Sequence, residues 1–211
     1  MRTLMIILSL FATVLAEEPT KPAVLYSNDF EKVKVGEEPA DVIVLDGQFT
    51  VRQQDGNHVL ELAGEPLGTF GVVFGPNRAE NVSVSARILG TTKRRTAPTF
   101  AVGLLGVSGL RLQVSPGDDA LEIFSDTTSL AKSPFKWTSG KWTRLKLTVN
   151  KTGDKLWTVT GKAWPDGANE PTQPTVEKVL TEPPTAGAAS VWATPLSGTP
   201  IEFDDLLYSS P

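Results

Sequence analysis

The chain has no cysteine and a single histidine, His58. The first absence removes disulfides, thiolate nucleophiles and Cys-ligated zinc together. The second removes most zinc sites and would make any Ser-His-Asp triad depend on one residue. No serine stands in a Gly-x-Ser-x-Gly elbow, and no Gly-rich phosphate loop precedes a helix. Helical periodicity is missing as well, since no stretch from Val24 onward repeats apolar residues at three- and four-residue spacing for the length of an ordinary helix. Nor is there an excess of positive charge. With 24 acidic against 20 basic residues and a pI near 5.1, the surface repels nucleic acid and anionic lipid, so neither is an expected partner.

Long apolar runs are confined to the start of the chain. Arg2 precedes an apolar run from Leu4 to Leu15 of about 12 residues, short of the roughly 20 that a helix needs to cross a bilayer, and polar Glu17 and Glu18 follow. Val14-Leu15-Ala16 reads as a cleavage site. Residues 1–16 are therefore expected to be a secretory signal and 17–23 a linker, which makes the mature chain secreted, periplasmic or attached to the cell envelope, with no membrane span after cleavage. An exported chain without cysteine suits a bacterial exoprotein better than a small animal extracellular module. About 195 residues remain, enough for one domain that needs no covalent staple.

What fills those residues is a succession of short period-2 segments separated by Gly, Pro, Asn and Asp. In Asn81 to Leu89, Val82, Val84, Ala86 and Ile88 fall on one face while Ser83, Ser85 and Arg87 fall on the other, the pattern of a half-buried strand. Thr99 to Leu105 and Leu110 to Val114 form a hairpin pattern. Thr143 to Val149 sets Leu145, Leu147 and Val149 against Arg144, Lys146 and Thr148, and Leu156 to Trp164 follows. Further strands are expected at 25–30, 49–53, 59–63, 70–74, 121–124, 190–193 and 201–208, about a dozen in all, with Pro165 to Pro184 as one long irregular loop. The prediction is all-β: a single two-sheet antiparallel jelly-roll sandwich over 24–208, with a short tail at 209–211.

Four passages, taken in order, resemble the concanavalin A-like lectin and glucanase superfamily, in the group with laminin-G-like and 3-keto-disaccharide-hydrolase-like domains. They are Asn28-Asp29-Phe30, Trp137-Thr138-Ser139-Gly140-Lys141-Trp142 leading into Leu145-Lys146-Leu147, Gly161-Lys162-Ala163-Trp164, and Ile201-Glu202-Phe203-Asp204-Asp205-Leu206. The resemblance implies a lectin-like sandwich of the kind found in exported proteins of environmental bacteria such as planctomycetes. Glucanases of the superfamily carry Glu-x-Asp-x-Glu on one strand. Here Glu202-Phe203-Asp204 is followed by leucines at 206 and 207, so that motif is missing and the chain is expected to bind without catalysis, with a hydrolase of the 3-keto-disaccharide type and a structural cell-envelope protein as the alternatives.

Two groups of residues are candidates for a site. Sugar rings present apolar C–H faces that stack on tryptophan while their hydroxyls bond nearby polar groups, so Trp142, Arg144 and Trp164, on polar strand faces, are candidates for binding a glycan such as an envelope polysaccharide. In the last strand, strict alternation places Asp205 on the face of Ile201, Phe203 and Leu207, where an unpaired carboxylate would be costly. An arginine, backbone amides or a calcium ion could satisfy it. Asp29 is the candidate second calcium ligand.

Overall fold

The computed structural model describes residues 22–65 and 68–210. The expected signal segment 1–16 and most of the 17–23 linker lie outside the described residues. Fifteen strands run through the described chain. The first five are β1 (Ala23–Asn28), β2 (Val42–Asp46), β3 (Phe49–Gln54), β4 (Asn57–Leu62) and β5 (Phe70–Arg78). Next come β6 (Val82–Leu89), β7 (Thr99–Leu104), β8 (Leu110–Ser115), β9 (Ala120–Ser125) and β10 (Thr128–Pro134). The last five are β11 (Thr143–Gly153), β12 (Leu156–Pro165), β13 (Val176–Leu180), β14 (Gly187–Thr194) and β15 (Ile201–Ser210). A single 3-10 turn at Pro116–Asp118 is the only helical element among the described residues.

The strands form two antiparallel sheets packed as a sandwich. One has eight strands in the order β13-β12-β11-β6-β15-β4-β3, with β1 also on β15; the other has seven, β10-β9-β8-β7-β14-β5-β2. Alternation decides what each strand buries. On β6, Val82, Val84, Ala86 and Ile88 are buried at the inner face, and the paired β11 contributes Leu145, Leu147 and Val149. Phe100, Val102, Leu112, Val114, Leu121 and Val191 oppose them from the seven-stranded sheet within the same core. Each such side chain gains about 1.5–3 kcal/mol from leaving water, and the sum offsets the chain entropy lost on folding without any cross-link.

Three strands were not expected: β2, β10 and β13. All three are terminal in their sheets, and β13 runs through what reads in sequence as the loop 165–184. An edge strand buries few side chains, so it need not alternate. In β13 only Val176 is fully buried, and in β10 no residue is.

The chain ends meet. β1 pairs antiparallel with β15, Asn28 against Leu206 and Ser27 against Leu207. β4 occupies the same side of β15 further along, from Ile201 to Phe203. Between them β15 carries a bulge: Asp204 pairs with Arg87 and Leu207 with Ser85, so three steps on β15 match two on β6. Asp205 takes the left-handed conformation at φ 51°, which a short polar residue tolerates. Alternation therefore slips by one residue. Phe203, Leu206 and Tyr208 are buried in the core, while Asp204 and Asp205 are both directed to the outer face. The reading that put Asp205 on the core face with Phe203 and Leu207 is corrected by this extra residue, which sequence alternation cannot register.

Candidate functional site

On the outer face of the eight-stranded sheet the register sets Arg87 of β6 directly opposite Arg144 of β11. Two like charges so placed repel one another and require compensation. Three carboxylates supply it. Asp166, from the turn after β12, accepts from Arg144 Nε at 2.5 Å and Arg87 Nη1 at 3.3 Å; Asp204 meets Arg87 Nη2 at 2.5 Å; Asp205 meets Arg144 Nη2 at 2.7 Å. Asn57 of β4 donates to Asp204 at 2.6 Å, and the bulge returns the Asp205 N–H to Asp204 Oδ1 at 2.6 Å.

The network decides the protonation of its members. Burial works against the charged form of each arginine, but the neighbouring carboxylates outweigh it and hold both above the ordinary range. Burial likewise pushes Asp166 up, and the two guanidinium groups more than reverse this, so that carboxyl ionises more easily than usual. At Asp204, only 1% exposed, burial prevails over the bonds from Arg87, Asn57 and the Asp205 N–H.

Beside this network lies an open trough. Its larger arm, a cavity of about 690 Å³, is lined by Asn28, Asp29, Lys32, Asp41, Arg144 and Asp205 among others. The smaller, about 290 Å³, runs past Lys146, Trp164 and Glu170. The arms share Ser85, Arg144 and Leu207, so Arg144 stands where they join. The lining groups are held in place. Asn28 donates to both oxygens of Asp41 at 3.1 Å, and Lys146 and Lys162 clamp Glu170 at 3.1 and 2.8 Å.

The structure thus brings Arg144, Trp164, Asp29 and Asp205 to one trough. Trp142 is placed differently: the Arg87 guanidinium stacks on it at 4.7 Å from the ring centroid, so it braces the network. Trp164 sits opposite Arg144 on β12 and is 8% exposed, offering the trough an edge and not an open stacking platform. Residues not foreseen as part of the site are Arg87, Asn57, Asp166 and Asp204. Arg87 was legible as a polar-face residue, but its partners come from positions 57, 166 and 204 and meet only in three dimensions. His58 is half-buried; its Nδ1 lies 3.3 and 3.1 Å from the carbonyl oxygens of Phe30 and Val33 and secures that turn.

The sequence left open what partners Asp205, and the geometry favours arginine over calcium. Arg144 and Arg87 both lie against the carboxylate, and Asp29 Oδ1 already accepts the Glu31 N–H at 3.3 Å. Among the described residues no group of three or more His, Cys, Asp or Glu is positioned to hold a metal ion. Millimolar calcium is accordingly expected to leave the melting temperature unchanged. A rise that Asp205→Asn abolishes would show that the arginines yield to the cation.

Further along β15, Glu202 faces Glu61 of β4 across the ladder. Burial, with Glu61 and Asp55 nearby, pushes its pKa from 4.5 to about 7 against a bond from Gln54, and Glu202 Oε2 is buried without a partner. Because the folded-state pKa is raised, this group's contribution is fully present below about 4.5 and is lost as pH rises through about 7. Glu202→Gln is expected to leave stability unchanged in acid and to raise it by about 1–2 kcal/mol above neutrality, a figure reduced for solvent screening. Urea unfolding across the pH range checks this, and parallel profiles for the two proteins would contradict it.

No protein-family model matches the chain, and no curated protein matches it in sequence. The sandwich itself recurs in solved structures. A Bacillus subtilis protein of unknown function with a galectin-like fold superposes with a TM-score of 0.61 at 11% identity, over 89% of this chain and 96% of that one. The carbohydrate recognition domain of Emp46p, in its metal-free form, gives 0.58 at 12%, over 89% and 97%. Carbohydrate-binding module CBM66 from Bacillus subtilis gives 0.55 at 11%, over 81% and 96%. At such identities the fold is what is shared, and it is the lectin-like sandwich expected from the four passages.

Proposed function

We propose that this chain is an exported, noncatalytic carbohydrate-binding module that takes a glycan of the cell envelope or its surroundings into the trough on the eight-stranded sheet. One observation carries the reading. Arg144 stands where two arms of an open trough join, and carboxylates on either side hold its planar donors in one orientation. Preorganised guanidinium, amide and carboxylate groups suit ring hydroxyls, because ordering them costs nothing further on binding. Lectin and carbohydrate-binding domains among the structural neighbours support the same reading.

The charge pairing around Arg144 supports binding without catalysis. A general acid or base needs a carboxyl free to exchange its proton, and Asp166, Asp204 and Asp205 are all committed to arginines. Glu202, with its raised pKa, lines neither arm of the trough. A hydrolase of the 3-keto-disaccharide type would need an acid-base carboxyl pair at the arginine centre, where Asp166 and Asp205 are both held by Arg144, and a purely structural envelope protein would need no trough.

The test is a glycan array with the chain lacking residues 1–16, followed by calorimetry on whatever binds. Ser85→Trp fills the junction of the arms from an outer-face position and is expected to weaken binding about tenfold or more while the melting temperature holds. No glycan bound at millimolar concentration, or a Ser85→Trp variant that binds as well as wild type, would remove this reading.

A further inference from the structure

The opposite outer face, that of the seven-stranded sheet, carries an arginine of a different kind. Arg52, Arg87 and Arg144, on the eight-stranded sheet, each meet a carboxylate. Arg111, on β8, meets none: no carboxylate among the described residues forms an ion pair with it, and its Nε is buried without a hydrogen-bond partner. A buried, unsatisfied donor on a charged group costs stability, and such a group in a native fold calls for a ligand or a function to account for it.

The surroundings of Arg111 are built to hold it there. Its guanidinium carbon lies 4.3 Å over the ring of Trp192 on β14. Trp192 pairs with Gly71 of β5, and a Cβ on Gly71 would sit 2.6 Å from the indole; a Cβ on Gly103 of β7 would sit 2.3 Å from Ser190 Oγ and 3.2 Å from the indole nitrogen. Two glycines thus leave room for the indole to lie against the sheet. Ser190 Oγ accepts its N–H at 2.8 Å. The result is a guanidinium plane resting on an aromatic plane, with Thr69, Thr99, Gln113 and Thr194 lining the same shallow spot. The acids near it do not neutralise it. Glu122, across from Gln113 on β9, is engaged by Ser129 at 3.0 Å and Lys132 at 3.6 Å, and Asp126 acts on Arg111 only from beyond ion-pair distance.

We infer that Arg111, stacked on Trp192, is the centre of a second site on this face, which takes the carboxylate of an acidic sugar. The guanidinium fork matches a planar carboxylate in two parallel bonds, and an amide and three hydroxyls around it suit the neutral hydroxyls of a pyranose ring. The face is shallow, so the ligand is a sugar lying along the sheet and not a group inserted into a pocket. Burial works against the charge of Arg111, with Asp126 opposing it, and an arriving carboxylate relieves that cost. The site is independent of the trough, which lies on the other side of the sandwich.

Galacturonic acid trisaccharide and its carboxyl-reduced counterpart are the probes, titrated into the full chain. The acidic trisaccharide is expected to bind and the reduced one to bind at least about tenfold more weakly; Arg111→Gln is expected to lose about as much, and Arg111→Lys part of it. Ser85→Trp, which blocks the trough, leaves this binding unchanged. Loss of uronate binding in Ser85→Trp but not in Arg111→Gln would overturn the second site while supporting the first. Should Arg111→Gln fail to fold, the Arg111 Nε–H resonance of the unaltered chain decides: a shift on adding the acidic trisaccharide alone supports the site, and no shift with either probe overturns it.

Discussion

Asp204→Ala is expected to destabilise the fold by about 3–5 kcal/mol, the range found when one partner of a buried ion pair is removed. Asp205→Ala is expected to cost about 1 kcal/mol or less. The two residues are adjacent and chemically identical, so the contrast rests on burial and on the bonds each one receives. The Asp204 side chain is 1% exposed and gathers bonds from Arg87, Asn57 and the Asp205 N–H, while that of Asp205 is 39% exposed and shares Arg144 with Asp166. Removing Asp204 leaves Arg87 and Asn57 without their main acceptor and the bulge without the bond that closes it. Removing Asp205 leaves Arg144 with Asp166 and with water. Chemical denaturation of the two variants measures both numbers. If Asp205→Ala proved the more costly, the chain would have no bulge at 204–205, and strict alternation would hold to the end of β15.

Val84→Asp is expected to destabilise by about 3 kcal/mol or more, because it places an unpaired charge on the most regular apolar face in the molecule. Val84 is fully buried and pairs with Leu147 of β11 on one side and Tyr208 of β15 on the other. All three side chains are buried, and no cationic partner stands in that row. A change within about 0.5 kcal/mol would mean that β6 presents its other face to the core.

These two substitutions mark the difference between what alternation can and cannot read. The phase of β6 follows from Val82, Val84, Ala86 and Ile88 alone, since one buried face of a sandwich demands one apolar residue in two. The phase of β15 follows from Ile201 and Phe203 only as far as the bulge; beyond it Leu206 and Tyr208 are buried, and Leu207 is partly exposed. A bulge is stabilised by bonds to the neighbouring strands, here from Arg87 and Asn57, which no local pattern records. The edge strands show the same limit. Ile43 of β2 is 66% exposed and Val179 of β13 is 46% exposed, so neither strand shows the alternation of a half-buried one. Each forms because the strand beside it offers unpaired backbone groups.

The candidate site divides along the same line. Arg144 and Trp164 were legible because they share polar faces with their strand neighbours. Neither Asp166 nor Asp204 was, and the tryptophan over which Arg111 stacks lies on a strand that does not neighbour β8. By itself the sequence determined the all-β class and the two buried faces, because burial with a period of two is a local demand met residue by residue. Only the tertiary structure decided which charges pair, which tryptophans are covered and that Arg111 keeps a buried Nε without a partner. Those outcomes depend on registers between strands far apart in the chain, and a one-residue slip in any of them sends a side chain to the other face.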